Sequence, residues 1–271
     1  EDSYHGADIT ERAEAFAEIH GDSYLSKSEE ERRKALTEYA LPLNIDSMKS
    51  GLLKYRIEYD TWFRESTLHN NGDVEKVLEL LKNSGYTYEN EGAVWFKATE
   101  FGCDKDFVLI RSNGIPTYVV PDIAYHYNKL SIRGFDKAID VLGADHHGYV
   151  PRLKGALTAL GIDSSRLDVV LMQMVRLIRN GETIKASKRS GKAITLLNLL
   201  DEVPIDAARF FFNYREANTH LDFDLDLAVE KSSENPVYYC QYAHARICSI
   251  FVKLKSVGIS VRTPKPEELM R

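Results

Sequence analysis

Two runs, KAIDVLGADHHGYVPRLKGALTALG (residues 137–161) and VVLMQMV (residues 169–175), decide how this chain reads. The first opens with a short apolar strand over 137–142 and continues as an amphipathic helix over 149–160 that Gly161 ends. The second is another apolar strand. Near-continuous apolar strands joined by a helix of about three turns are the pattern of a parallel βαβ unit, whose strands are buried on both faces. The expected class is therefore α/β, with half of a doubly wound parallel sheet at its centre.

Working outward, residues 106–120 read as strand, turn, strand, with Asn113-Gly114 as the turn, and Pro121-Asp122 opens a helix through Lys129. Upstream, residues 8–19 and 27–39 carry apolar residues at three- and four-residue spacing, and Pro42 is expected to end the second run. Residues 73–83 form an amphipathic helix with Asp73 as candidate N-cap and Gly85 closing it; a hairpin follows around Glu91-Gly92. Downstream, residues 196–202 and 206–214 look helical, 222–226 alternate as a strand would, and Asn235-Pro236 begins a long helix to about Val257. The expected division is an insertion over 1–104, helical and then α+β, followed by 105–192, 193–235 and 236–271.

The chain has 271 residues and 30.8 kDa, enough to bury a core without disulfides or metals. Its longest apolar stretch, residues 169–175, falls far short of the ~20 residues of a membrane helix. The opening residues from Glu1 are acidic and show no signal-peptide pattern. Cys103, Cys240 and Cys248 make no CxxC pair, which suits a reducing, cytoplasmic setting. The net charge of −6 argues against a nucleic-acid partner, but it is an average. Residues 1–104 hold 12 basic and 22 acidic side chains, whereas residues 152–192 hold 9 basic and 3 acidic ones. A phosphate-rich ligand belongs with the second group.

Three constellations carry chemistry. Gly143-Ala144-Asp145-His146-His147-Gly148 lies between the first strand of the βαβ unit and its helix, where ligands of open parallel sheets bind. Asp145 there either bonds a ribose hydroxyl or caps the helix, and the two histidines can donate to a ligand. Zinc is a weaker reading, because no partner has ligand spacing. Lys185-Ala186-Ser187-Lys188-Arg189, followed by Gly191-Lys192, gathers four cations in eight residues, which repel one another unless a polyphosphate neutralises them. It is not a Walker A loop: Ala186 and Ala193 replace the first glycine and the magnesium-binding hydroxyl. Tyr118 and Asp122, four apart with Tyr125 and His126 a turn further, can grip a planar cation through charge-assisted hydrogen bonds.

These segments, with Ile115-Pro116-Thr117-Tyr118, DEVPIDAARFFF (201–212), HLDFDLDLA (220–228) and NPVYYCQYAHARICSI (235–250), stand in the order they take in class I aminoacyl-tRNA synthetases. Most of residues 115–250 resembles the arginyl-tRNA synthetases in particular. The resemblance implies ATP-dependent activation of arginine to arginyl-adenylate and transfer to the 3′ end of tRNA(Arg), with Mg2+ accompanying the nucleotide and no membrane partner. It implies the second half of a Rossmann-like nucleotide-binding sheet over 105–192, a connective insertion before it, a stem-contact region over 193–235 and the first helix of an anticodon-binding domain from 236.

By the same resemblance the loop 185–189 is similar to the signature usually written KMSKS. Lys185, Ser187 and Lys188 would then stabilise the pyrophosphate of the transition state. Tyr118, Asp122 and His146 would take the arginine side chain. Gly143, Asp145 and His147 would approach the adenosine ribose, and Met174 and Val175 would meet adenine through backbone groups. No protein metal ligand is implied. The His-Ile-Gly-His signature of the class is not among these residues, so the chain is expected to be a fragment that does not activate arginine alone. The alternative is a non-catalytic paralogue that binds nucleotide or tRNA.

In a complete enzyme, Lys188→Ala should lower kcat for ATP–pyrophosphate exchange by at least about a hundredfold, with a far smaller change in arginine KM. An unchanged kcat would remove Lys188 from the mechanism.

Overall fold

The computed structural model describes residues 6–184, 194–262, 265 and 267. In chain order the elements begin with helices α1 (Ala7–His20), α2 (Glu29–Lys54), α3 (Glu65–Asn70) and α4 (Asp73–Asn83). Strands β1 (Thr87–Asn90), β2 (Ala93–Phe96) and β3 (Phe107–Ile110) follow, then helix α5 (Val119–Tyr127). Strand β4 (Ala138–Gly143), helix α6 (Val150–Ala159) and strand β5 (Leu167–Met172) come next, then β6 (Val175–Arg179) and β7 (Glu182–Thr183). The remaining elements are α7 (Leu196–Glu202), α8 (Ile205–Asn213), β8 (Leu221–Asp224), α9 (Leu225–Val229) and α10 (Pro236–Ser256).

They gather into two units. One holds Tyr59–Met174 with Glu216–His220; the other holds Glu1–Glu58, Val175–Arg215 and Leu221–Arg271.

In the first unit, β4 and β5 pair in parallel from Ala138↔Leu167 to Gly143↔Met172, and α6 makes the crossover. The expected βαβ unit is thus present. Gly161, at φ 76°, ends the helix where a side chain would be strained. One face of the strand pair is buried through Ala138 and Leu167, while Ile139 and Val141 on the other are each 62% exposed. Beside it lies an antiparallel sheet in the order β1-β2-β3. Its β1–β2 turn is Glu91-Gly92 with both residues at positive φ, as the hairpin signal required. Phe96, Leu109, Val120, Ile123 and Leu157 are at or below 1% exposure in the core that joins these layers.

Three expectations need correction here. Residues 117–120 do not form a second strand. After an isolated bridge between Ile110 and Pro116, the Thr117 amide bonds the Leu109 carbonyl, and the Val120 amide then bonds the Thr117 carbonyl, starting α5. The β-branched pair Val119-Val120 is buried in a first helical turn, and Pro121 sits where its missing N–H costs nothing. Helix α4 does start at Asp73, but Gly72, at φ 74°, holds the cap position and Asp73 lies inside the first turn. Strand β5 stops at Met172 rather than reaching Val175, because β4 offers no partner beyond Gly143 and the Gln173 amide turns to the Ala217 carbonyl.

In the second unit α2 corrects a further expectation, for it runs through Pro42 instead of ending there. Pro42 and Glu38 both face solvent, so water can take the carbonyl that the proline leaves unbonded. A capping box between Ser28 and Glu31 starts the helix, and Lys54 reaches Asp201 at 2.6 Å near its end. Leu199, Val203, Phe211 and Phe223 form the core of this unit, under a sheet in the order β7-β6-β8. Asn235 caps the long helix α10 by accepting from the Val237 amide.

Phe96→Ala should lower the unfolding free energy by about 3–5 kcal/mol in urea denaturation, since the ring is fully buried. A loss under about 1 kcal/mol would show that this core is not where the stability resides.

Candidate active site

Helix α5 begins with Tyr118 at its N-cap position and Asp122 in its first turn. The free amides of a helix start favour a carboxylate there. Tyr118 projects into solvent, 70% exposed, whereas Asp122 is half-buried. The Tyr149 hydroxyl, at the head of α6, donates to Asp122 Oδ2 at 2.5 Å. Burial pushes the Tyr149 phenol well above its ordinary range, and the hydrogen bond to Asp122 and the charge of that carboxylate push it further. Tyr149 therefore stays a donor at any physiological pH. It occupies one oxygen of Asp122, and a carboxylate has about four lone-pair positions, so the group keeps capacity for an incoming forked donor.

Tyr149 is also where the other side chains meet. The Tyr118 ring stacks on it with centroids 6.1 Å apart, and the His146 ring meets it edge-on at 6.1 Å. Tyr118, Asp122 and His146 are thus brought together around a phenol that sequence reasoning had placed only as a helix start. A cavity of about 190 Å³ opens beside this group, with Thr117, Tyr118, Tyr149 and Arg152 in its wall. A tyrosine one turn from a strand end and just after His147-Gly148 was the available signal.

The turn after β4 is a single tight turn, Ala144–His146, with α6 starting only at Val150. A side-chain carbon on Gly143 would stand 2.5 Å from Asp145 Oδ1, so the glycine lets the carboxylate fold back over the strand end. Asp145 does not cap α6, whose start carries no side-chain cap. Its side chain is 83% exposed, with His146 Nε2 at 3.9 Å from Oδ2, and His147 is exposed too. Met174 is 79% exposed in the break after β5, while Val175 begins β6 in the other unit. They do not share a strand end. Lys185, Ser187 and Lys188 lie outside the described residues.

Behind Asp122 is a buried ionic cluster of which the sequence marked only His126. His126, Lys129 and Asp140 have side chains 6%, 16% and 15% exposed. Asp140 accepts from Lys129 at 3.0 Å and lies 2.7 Å from His126 Nε2. Burial would raise the Asp140 carboxyl, but the bonds and charges of His126 and Lys129 outweigh it and bring the group down to about 2. Among the described residues no group of three His, Cys, Asp or Glu could hold a metal ion.

A carboxyl depressed in the folded state stabilises the fold above its unfolded value and loses that contribution as pH falls towards its folded value. Stability should therefore drop between about pH 4 and about pH 2 by more in the native chain than in Asp140→Asn, read from urea midpoints across that window. Equal pH dependence in the two would show that Asp140 is not the group responsible.

Comparison with known proteins gives the family. The sequence model for the catalytic domain of class I tRNA synthetases, the one designated R, matches residues 21–249. An arginine–tRNA ligase of Caldanaerobacter subterraneus subsp. tengcongensis is 57% identical over 269 residues, covering 99% of this chain and 48% of that protein. Another, of Acetivibrio thermocellus, is 55% identical over 261 residues, 96% of this chain and 46% of that one. A solved arginyl-tRNA synthetase structure from Campylobacter jejuni aligns with TM-score 0.84 at 36% identity, over 96% of this chain and 56% of that one. The Thermus thermophilus arginyl-tRNA synthetase shares the fold, with TM-score 0.73 at 20% identity over 97% of this chain and 55% of that one. The chain spans about half the length of the curated relatives it matches. No helix among the described residues is long and apolar enough to cross a membrane.

Proposed function

This chain belongs to the arginine family of class I tRNA synthetases, through its catalytic domain, and from that premise we propose that it supplies the arginine-binding part of an arginine–tRNA ligase. The observation that carries the reading is the Asp122 carboxylate, held by the Tyr149 hydroxyl at a helix start and flanked by Tyr118 and His146. A guanidinium presents a planar fork of donors that a carboxylate matches in bidentate geometry, and an aromatic face beside it adds a cation–π contact. Lysine, a point donor, cannot make the same fork. The identity of 57% over 99% of the chain favours a working ligase over a non-catalytic paralogue.

The reaction proposed is activation of arginine by ATP to arginyl-adenylate, followed by transfer to the 3′ end of tRNA(Arg), in a cytoplasmic setting. Asp122 and Tyr118 bind and orient the guanidinium, with His146 as a further polar contact. Gly143, Asp145 and His147 line the approach to the adenosine ribose, and Met174 and Val175 offer backbone groups to adenine. Lys185, Ser187 and Lys188 are assigned to the transferring phosphates. Catalysis of this kind is positioning and charge stabilisation, with no protein nucleophile. Mg2+ would arrive with the nucleotide, coordinated mainly by phosphate oxygens. The functional division proposed is insertion over 1–104, the second half of a Rossmann-like catalytic domain over 105–192, stem contact over 193–235 and the first anticodon-domain helix from 236.

In the full-length ligase bearing this segment, Asp122→Asn should raise arginine KM by at least about tenfold while ATP KM stays within about twofold. An unchanged arginine KM in pyrophosphate exchange would end the assignment.

A further inference from the structure

Asp122 is tied at two places: its carboxylate to Tyr149, and its backbone carbonyl to His126 Nδ1 at 2.7 Å. A carbonyl oxygen only accepts, so Nδ1 carries a proton. The other ring nitrogen meets two partners of opposite kind, Asp140 Oδ2 at 2.7 Å and Lys129 Nζ at 3.1 Å. Protonated, Nε2 donates to the carboxylate; bare, it accepts from the ammonium. Lys129 is itself fixed, donating to Asp140 Oδ1 at 3.0 Å and standing 4.7 Å from the centre of the Tyr125 ring.

We propose that Lys129 and Asp140 are positioning residues which hold His126, and through it Asp122, in one place whichever protonation state the histidine adopts. This rests on the arginine reading of Asp122 and extends it: the guanidinium site keeps its shape whether or not the His126 ring carries a second proton. Without Lys129, a bare Nε2 would face a carboxylate oxygen at 2.7 Å with no proton between them. Two acceptors at that distance repel, so the ring would turn and release the Asp122 carbonyl.

The charged and titratable groups around the ring are consistent with this division of labour. On its own helix and the turn after it stand Asp122, Tyr125 and Lys129; Asp140 faces it from β4, while Tyr149 at the head of α6 bonds Asp122. On α4, Lys76 sits over the Tyr127 ring at 5.6 Å, and on α3, Glu65 and His69 pair with each other at the surface. Strand β3, Phe107–Ile110, brings no titratable side chain.

The test uses Lys129→Met, which keeps the stem and removes the donor, and Lys129→Arg, which keeps a donor, both in the full-length ligase. Arginine KM and kcat are measured by ATP–pyrophosphate exchange at about pH 6 and about pH 8, relative to wild type, with hydrogen–deuterium protection of residues 119–127 followed on the same proteins. Expected for Lys129→Met is a near-wild-type KM at the lower pH and a rise of about tenfold at the higher, with kcat little changed and helix protection falling only at the higher pH. Lys129→Arg should restore the flat profile. A KM ratio to wild type and a helix protection that are both the same at the two pH values, or a loss carried by kcat, overturn the proposal. Protection that falls at the higher pH while arginine KM stays flat would uphold the clamp on α5 and instead sink the arginine assignment of Asp122.

Discussion

The charge on Asp140 is the constraint on which this end of the molecule depends. An ionised carboxylate 15% exposed is costly unless its lone pairs are filled by donors, and the fold supplies two, the His126 ring and the Lys129 ammonium. Because both donors sit on α5 and the turn that follows, while Asp140 sits on β4, satisfying the carboxylate fixes that helix against that strand. Apolar packing through Val120 and Ile123 would accept small slides of the helix; the ionic bonds do not. The start of α5 is thereby set, and with it the positions of Tyr118 and Asp122.

From that fixed helix the site grows by single contacts. Tyr149 reaches Asp122 because α6 begins at Val150, four residues after the tight turn that ends at His146 and that Gly143 permits. The folded-back Asp145 leaves both histidines of the turn at the surface, and one of them leans on the Tyr149 ring. A single phenol so links the turn after the strand to the helix that carries the carboxylate, and the same parallel pairing that defines the βαβ unit supports both.

Much of this is legible in the sequence, and what is not has physical causes. The apolar runs around residues 138–142 and 169–172 signalled parallel strands, although only the face through Ala138 and Leu167 is buried, and the glycines at 92 and 161 marked turns that need positive φ. Val119-Val120 misled because β-branched residues favour strands in isolation, whereas here burial in the core decides. Pro42 misled because a proline on the solvent face of a helix costs less than one whose freed carbonyl is buried. Tyr118 and Asp122 stood out at helical spacing. The triad of His126, Lys129 and Asp140 did not, since its third member lies across a chain reversal and looks like any other acid in a strand.

The uncovered side of the β4–β5 pair has a consequence for handling the polypeptide. Ile139 and Val141, both 62% exposed, stand with Val170 and Met172 on a two-stranded ladder that no further strand joins among the described residues. Strands of this composition with bare edges are templates for intermolecular β-pairing. Among the described residues these four side chains make one apolar strip along that pair, and a lysine at position 141 would interrupt it and weaken self-association of the isolated polypeptide.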